Sequence, residues 1–77
     1  MFNIGDKVKV TQAAAEAEYG EWKGSQVYDA MINNANVKRF EVVGMDSINY
    51  LIKRLEDDVV IPCDKQSAHS KFEVAND

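Results

Sequence analysis

The sequence predicts a mainly β domain of about five short antiparallel strands with one inserted helix. Apolar and polar residues alternate in two segments, Lys7-Val8-Lys9-Val10 near the start and Lys71-Phe72-Glu73-Val74 near the end. Between them, residues 37–63 contain three runs of β-branched, aromatic and aliphatic residues, separated by turn-like clusters at 44–47 and 56–58. Alternation is typical of strands with one buried face, and short runs between turns are typical of an antiparallel meander.

The chain length of 77 residues indicates a single domain over residues 1–77 with a thin core. The net charge of −4 argues against general nucleic-acid binding, which needs a basic face to displace counterions from phosphates. One cysteine cannot form an intramolecular disulfide, and no segment has the pattern of a signal peptide or a membrane span. We therefore expect a cytoplasmic protein that does not act at a membrane.

The first strand is expected to bury Val8 and Val10, with Ile4 folding back onto the same core. The alanine-rich segment at residues 12–19 favours helix, and Thr11 is a suitable N-cap. Such a short helix is marginal on its own, so a single turn or a loop is the alternative.

A second helix, with a clearer apolar face than the segment at residues 12–19, is expected at residues 25–34. Ser25 can cap its N-terminus, and an apolar stripe follows one face, formed by Val27, Tyr28, Met31, Ile32 and Ala35.

The meander is expected to place Phe40 opposite Leu51 or Ile52 across a turn at residues 44–47, and this register stays open because a slip of one residue exchanges the faces. The third strand is expected at residues 59–61, where Pro62 either ends the pairing or marks a sheet edge. A polar connection with one 3₁₀ turn then leads to a last strand with Phe72 and Val74 facing inward.

This order of elements resembles the SH3-like small β-barrel. The opening Ile4-Gly5-Asp6-Lys7-Val8-Lys9-Val10 looks like the first strand of bacterial and phage barrels of this type, including those related to the KOW motif, and Gln66-Ser67-Ala68-His69-Ser70 lies where such barrels carry a 3₁₀ turn. The resemblance implies closure into a barrel, and the helix between the first two strands departs from it. Many short acidic phage proteins look broadly similar, but a fold of this kind hosts many activities.

The first candidate site is an aromatic segment formed by Tyr19, Glu21, Trp22 and Tyr28. Tyr and Trp offer large, stiff contact areas with a polar tip, which suits recognition of a protein partner. The alternative is that Trp22 plugs the open end of a thin barrel, since large aromatic residues dominate core burial.

The second candidate site consists of two basic dipeptides, Lys38-Arg39 and Lys53-Arg54. Either register is expected to bring cations close across the hairpin, which is unfavourable unless an anion compensates. The anion can belong to an acidic partner, or it can be a nucleic acid, with Tyr50 or Trp22 stacking on bases. It can also be internal, and the acids that would then neutralise the cations are Glu41, Glu56, Asp57 and Asp58. The internal solution is the interpretation that we favour.

No pattern of residues indicates catalysis, a cofactor or a metal. Cys63 and His69 are the only soft metal ligands, and two ligands do not make a structural zinc site. Nothing near Cys63 would lower a thiol pKa, so a half-buried, inert cysteine is expected. No nucleophile motif or phosphate-binding glycine loop is present.

The sequence thus favours a non-enzymatic protein-binding module. The more specific hypothesis is a phage-type early protein that binds and modulates a host factor. A nucleic-acid-binding barrel is the alternative, and an accessory domain that exposes a strand edge to a larger assembly is a third option.

Overall fold

The computed structural model describes residues 1–76 and shows a mixed α/β domain. In chain order its elements are β1 (Lys7–Val10), α1 (Gln12–Glu18), a 3₁₀ turn (Gly20–Trp22), α2 (Tyr28–Val37), β2 (Phe40–Met45), β3 (Asn49–Arg54), β4 (Val60–Asp64), α3 (Lys65–Lys71) and β5 (Phe72–Val74). No helix among these residues is long and apolar enough to cross a bilayer.

The five strands form one antiparallel sheet in the order β4-β3-β2-β1-β5. The last strand returns to the first, so that Val8 lies opposite Val74 and Val10 opposite Phe72. The prediction of about five antiparallel strands is confirmed. The sheet is open, with β4 and β5 as its two edges, so the expected closure into a barrel is not shown.

Residues 1–76 contain three α-helices where the predicted fold had one inserted helix. The alanine-rich segment forms the helix α1 and not a loop, and the connection expected to hold a 3₁₀ turn forms the α-helix α3, because both short segments gain caps and tertiary packing. The Thr11 hydroxyl accepts a hydrogen bond from Ala14 N–H (3.1 Å) at the start of α1, and the Asp64 carboxylate accepts one from Ser67 N–H (3.1 Å) at the start of α3. Ala15 of α1 and Ala68 of α3 are fully buried. Packing in the folded domain thus stabilises helices that would be marginal as isolated peptides.

Helix α2 begins at Tyr28 and ends at Val37, about three residues later at each end than expected. Ser25 does not cap it. Its N–H donates to Trp22 O (2.9 Å) and its carbonyl accepts from Tyr28 N–H (3.4 Å), so Ser25 belongs to the turns that precede the helix. Val27 takes the N-cap position without a side-chain hydrogen bond.

The core lies between the helices and one face of the sheet. Its largest fully buried side chains are Tyr50, Ile52, Val8 and Val42, and Val10, Phe40 and Phe72 are also buried. The expected burial of Val8, Val10 and Phe72 is confirmed.

Two residues expected in the core lie on the surface instead. Ile4 is 63 % exposed, because a tight turn, closed by Asp6 N–H donating to Asn3 O (3.0 Å), places Phe2 against the core in its stead. Val74 is 45 % exposed because it lies on an edge strand, where the following Ala75 is the buried residue.

The β2–β3 hairpin has neither of the two expected registers. Phe40 lies opposite Arg54, and Val42 lies opposite Ile52. The difference arises because β2 bulges between Val42 and Gly44 and continues to Met45, which moves the turn to residues 46–48. A Cβ atom on Gly44 would lie 3.1 Å from Leu51 Cδ1, so a larger residue at the bulge would require the Leu51 side chain to shift slightly.

Pro62 marks a sheet edge and does not end the pairing, since β4 runs on to Asp64. Arg54 N–H donates to Val59 O, and Lys65 N–H donates to Ile48 O, one at each end of the β3–β4 ladder. Hydrogen-bonded pairs alternate along antiparallel strands, so Ile61 and Cys63 point their N–H groups at β3. The nitrogen of Pro62, which carries no hydrogen, therefore points away from the sheet.

Candidate functional site

The four residues of the aromatic segment divide into two half-buried tyrosines and two exposed residues. Tyr19 ends α1, where its N–H donates to Ala15 O (3.1 Å), and it packs against the core. Tyr28 begins α2 and packs against the same core. Glu21 and Trp22 lie on the surface. The interpretation of Trp22 as a core plug is wrong, because its side chain is 45 % exposed.

Consecutive backbone hydrogen bonds hold the segment that carries Trp22. Trp22 N–H donates to Tyr19 O (3.0 Å), Lys23 N–H to Gly20 O (3.1 Å), and Ser25 N–H to Trp22 O (2.9 Å). Gly24 has a φ of 91°, which lets the chain turn after the 3₁₀ helix. An exposed tryptophan on a hydrogen-bonded turn loses little backbone entropy when a partner covers it.

The basic dipeptides do not face each other across the hairpin, contrary to expectation. Lys53 lies opposite Glu41, and Arg54 lies opposite Phe40. Arg39 O accepts a hydrogen bond from Leu55 N–H (3.1 Å). The observed register thus places no cation of one dipeptide directly opposite a cation of the other.

Acids from the β3–β4 turn neutralise three of these cations within the chain, as the favoured interpretation predicted. Glu56 lies 3.8 Å from Lys38 Nζ, Asp58 lies 4.0 Å from Lys53 Nζ, and Asp57 accepts from Arg54 Nη2 (2.8 Å) and Nε (3.2 Å). The hydrogen bonds from Arg54 lower the pKa of Asp57, and Asp57 raises the pKa of Arg54. Glu41 pairs with Lys7 (3.0 Å) instead.

Three adjoining surface depressions share Lys38, and we call them together the Lys38 cleft. The first, of about 360 Å³, lies where α2 leads into β2 and includes Arg39, Phe40, Arg54 and Glu56. The second, of about 440 Å³, extends towards α1 and reaches Tyr19. The third, of about 170 Å³, includes Tyr19, Phe40 and Arg54 again, together with Lys71 and Phe72.

The Lys38 cleft brings together residues of both predicted sites. Tyr19 comes from the aromatic segment, whereas Lys38, Arg39 and Arg54 come from the basic dipeptides. Lys53, Trp22, Glu21 and Tyr28 do not line it. Sequence reasoning missed Val37, Leu55 and Lys71 as lining residues, because only the fold places the ends of α2 and α3 beside the end of β3.

A second cluster that sequence reasoning missed surrounds the Tyr50 hydroxyl. This hydroxyl accepts a hydrogen bond from Phe2 N–H (3.2 Å) and lies 3.1 Å from His69 Nε2. The His69 ring stacks on Phe2, with ring centroids 4.9 Å apart. Tyr50 is fully buried, so the expectation that it stacks on nucleic-acid bases is wrong. The cluster fastens the start of the chain to the core.

Cys63 is half-buried, and burial raises the pKa of its thiol, in agreement with the expectation of an inert cysteine. Within residues 1–76, no group of three or more His, Cys, Asp or Glu side chains is placed to hold a metal ion.

Two features of this chain therefore offer contact surfaces: the exposed Trp22 turn and the Lys38 cleft. Comparisons with protein-family models, curated proteins and solved structures gave no match for this chain.

Proposed function

We propose that the protein is a non-enzymatic protein-binding module whose contact surface is centred on Trp22. The observation that carries the proposal is the exposure of this side chain on a hydrogen-bonded turn. Tryptophan is among the residues that contribute most to protein interfaces when a partner covers them. Glu21 adds a charged neighbour at the rim, and Tyr19 and Tyr28 support the turn from the core side.

We also propose that the domain follows the plan of the SH3-like small barrel. The strand order and the return of β5 to β1 support this plan. A helical segment between β4 and β5 also supports it by its position, although it is the α-helix α3 and not the expected 3₁₀ turn. The bulge in β2 is of the kind that bends a strand and lets one sheet curve towards closure.

As a more specific form of the proposal, the protein acts as a phage-type early protein that binds and modulates a host factor. Its small size and acidity support this form, because a net charge of −4 suits association with a basic patch on another protein.

Recovery of partners from bacterial lysate tests the proposal. Immobilised wild type and Trp22→Ala are compared, with Ile48→Ala as the matched control, since Ile48 is an exposed apolar residue on the β2–β3 turn. We expect Ile48→Ala to retain the proteins that wild type recovers and Trp22→Ala to lose at least one of them. Identical recovery with all three baits would remove Trp22 from the interface.

A nucleic-acid-binding role for Lys38, Arg39, Lys53 and Arg54 is the alternative proposal. Its support is that Lys38, Arg39 and Arg54 line one cleft. The internal ion pairs and the negative net charge favour it less than the protein-binding role. Binding to a single-stranded oligonucleotide at low salt that weakens steeply with added salt would support it.

A further inference from the structure

We infer that the Lys38 cleft is a second binding site, which takes an acidic peptide segment carrying an apolar side chain, and that Glu56 competes with this segment for Lys38. The inference goes beyond the proposed function, because Trp22 does not line the cleft.

The charge of the cleft is opposite to that of the chain. Among the described residues, the cations that line the cleft are Lys38, Arg39, Arg54 and Lys71, and the acids that line it are Glu18 and Glu56. Asp57 pairs with Arg54 from outside the lining, so four cations face three acids. The chain as a whole carries a net charge of −4. A cationic depression in an acidic surface attracts anionic groups locally and repels them elsewhere, which directs an acidic ligand to this place.

Apolar side chains form the floor and one rim of the same cleft. Phe40 and Phe72 are buried beneath it and meet edge to face, with ring centroids 5.1 Å apart. Val37 stands at the rim and is 70 % exposed. Leu55 is half-buried beside it. A ligand that covers these groups needs an apolar side chain next to its negative charges.

Lys38 exchanges its acidic partner for a ligand more easily than Arg54 does. Its contact with Glu56 is long (3.8 Å), and both side chains are about half exposed. Such surface ion pairs contribute little to stability, so a second carboxylate can replace the first at small cost. Arg54 differs, because Asp57 binds it through two hydrogen bonds. Glu56 therefore acts as a weak internal competitor at the mouth of the cleft.

The chemistry of the cleft favours a peptide over a nucleic acid. Nucleic-acid binding of this kind relies on a continuous basic track and on exposed aromatic rings that stack on bases. Here Phe40 and Phe72 are buried, Tyr19 is half-buried, and Lys53 lies outside the cleft.

Fluorescence anisotropy with short labelled probes tests the inference. The probes are an acidic peptide of two Asp and two Glu residues around one Phe, the same peptide with Lys in place of the acids, and a single-stranded oligothymidine. We expect wild type to bind the acidic peptide and not the lysine peptide. Lys38→Gln should weaken this binding, and Glu56→Gln should strengthen it by about 1.5- to 5-fold, the range that a surface ion pair is worth.

Lys53→Gln is the matched control, since Lys53 also has a long ion pair, at 4.0 Å to Asp58, but lies outside the cleft. It should leave peptide binding unchanged, and so should Trp22→Ala. Circular dichroism of each variant checks that the fold is retained.

Three results would overturn the inference: no binding of the acidic peptide at millimolar protein, weaker binding by Glu56→Gln, or tighter binding of the oligonucleotide than of the peptide. Loss of peptide binding in Trp22→Ala would also overturn it and would assign the peptide to the Trp22 surface. Failure of the lysate experiment alone leaves this inference intact, because the two sites are tested by different variants.

Discussion

Removal of the Tyr50 hydroxyl tests whether the cluster beneath the N-terminal segment stabilises the fold. In the Tyr50→Phe variant the ring stays in place while the oxygen is lost. Two contacts disappear with it, the hydrogen bond from Phe2 N–H (3.2 Å) and the contact with His69 Nε2 (3.1 Å).

The two lost contacts have different costs. Phe2 is buried, so its N–H is left without a partner, and an unpaired buried donor costs about 1–3 kcal/mol. The His69 side chain lies at the surface, where water can replace the lost hydroxyl. We therefore expect the free energy of unfolding to fall by about 1–3 kcal/mol, mostly from the Phe2 N–H. For a domain of this size that corresponds to a melting temperature lower by about 5–20 °C.

Urea and thermal unfolding followed by far-ultraviolet circular dichroism measure this change. Tyr28→Phe is the matched control, because Tyr28 is half-buried and belongs to α2, away from the cluster. We expect the control to stay within about 0.5 kcal/mol of wild type. If Tyr50→Phe also stays within that range, the hydroxyl does not stabilise the fold and the reasoning is refuted.

Two further predictions concern titratable groups. Hydrogen bonds from Ser67 lower the pKa of Asp64, so the stability that this carboxylate adds is present above its ordinary pKa of about 3.9 and is lost as the pH falls towards the folded value. The urea midpoint of wild type should thus fall more steeply between pH 5 and pH 2.5 than that of Asp64→Asn, and parallel curves would contradict this. Because burial raises the pKa of Cys63, iodoacetamide should alkylate the folded protein at pH 8 more slowly than the urea-unfolded chain, and equal rates would show that the thiol is not protected.

The strands were predictable where local pattern decides their position. The alternation at Val8 and Val10 predicts a strand with one buried face, and the fold has it. The register of the central hairpin was not predictable, because it depends on a bulge at Val42 and Gly44 that brings Gly44 against Leu51. No periodicity in the sequence marks that close approach.

The candidate residues were predictable by type, but their grouping was not. The sequence showed Lys38 and Arg54 as members of the two basic dipeptides, and Tyr19 as a member of the aromatic segment. Their meeting in one cleft depends on how the fold places the ends of the helices beside the start of β2 and the end of β3, which is a tertiary property. The contact between Tyr50 and His69 joins residues 19 positions apart and carries no local sequence signal.

Pro62, in the middle of the edge strand β4, limits how this protein can aggregate. Val59 and Val60 are exposed at the unpaired edge of that strand. An apolar edge of this kind normally favours pairing with a strand of another chain and growth into fibrils. An added strand would find no donor at Pro62 and would lose its central bond. Concentrated solutions of the protein should therefore resist filament growth through β4. Pro62 thus protects an edge strand that could otherwise pair with another chain.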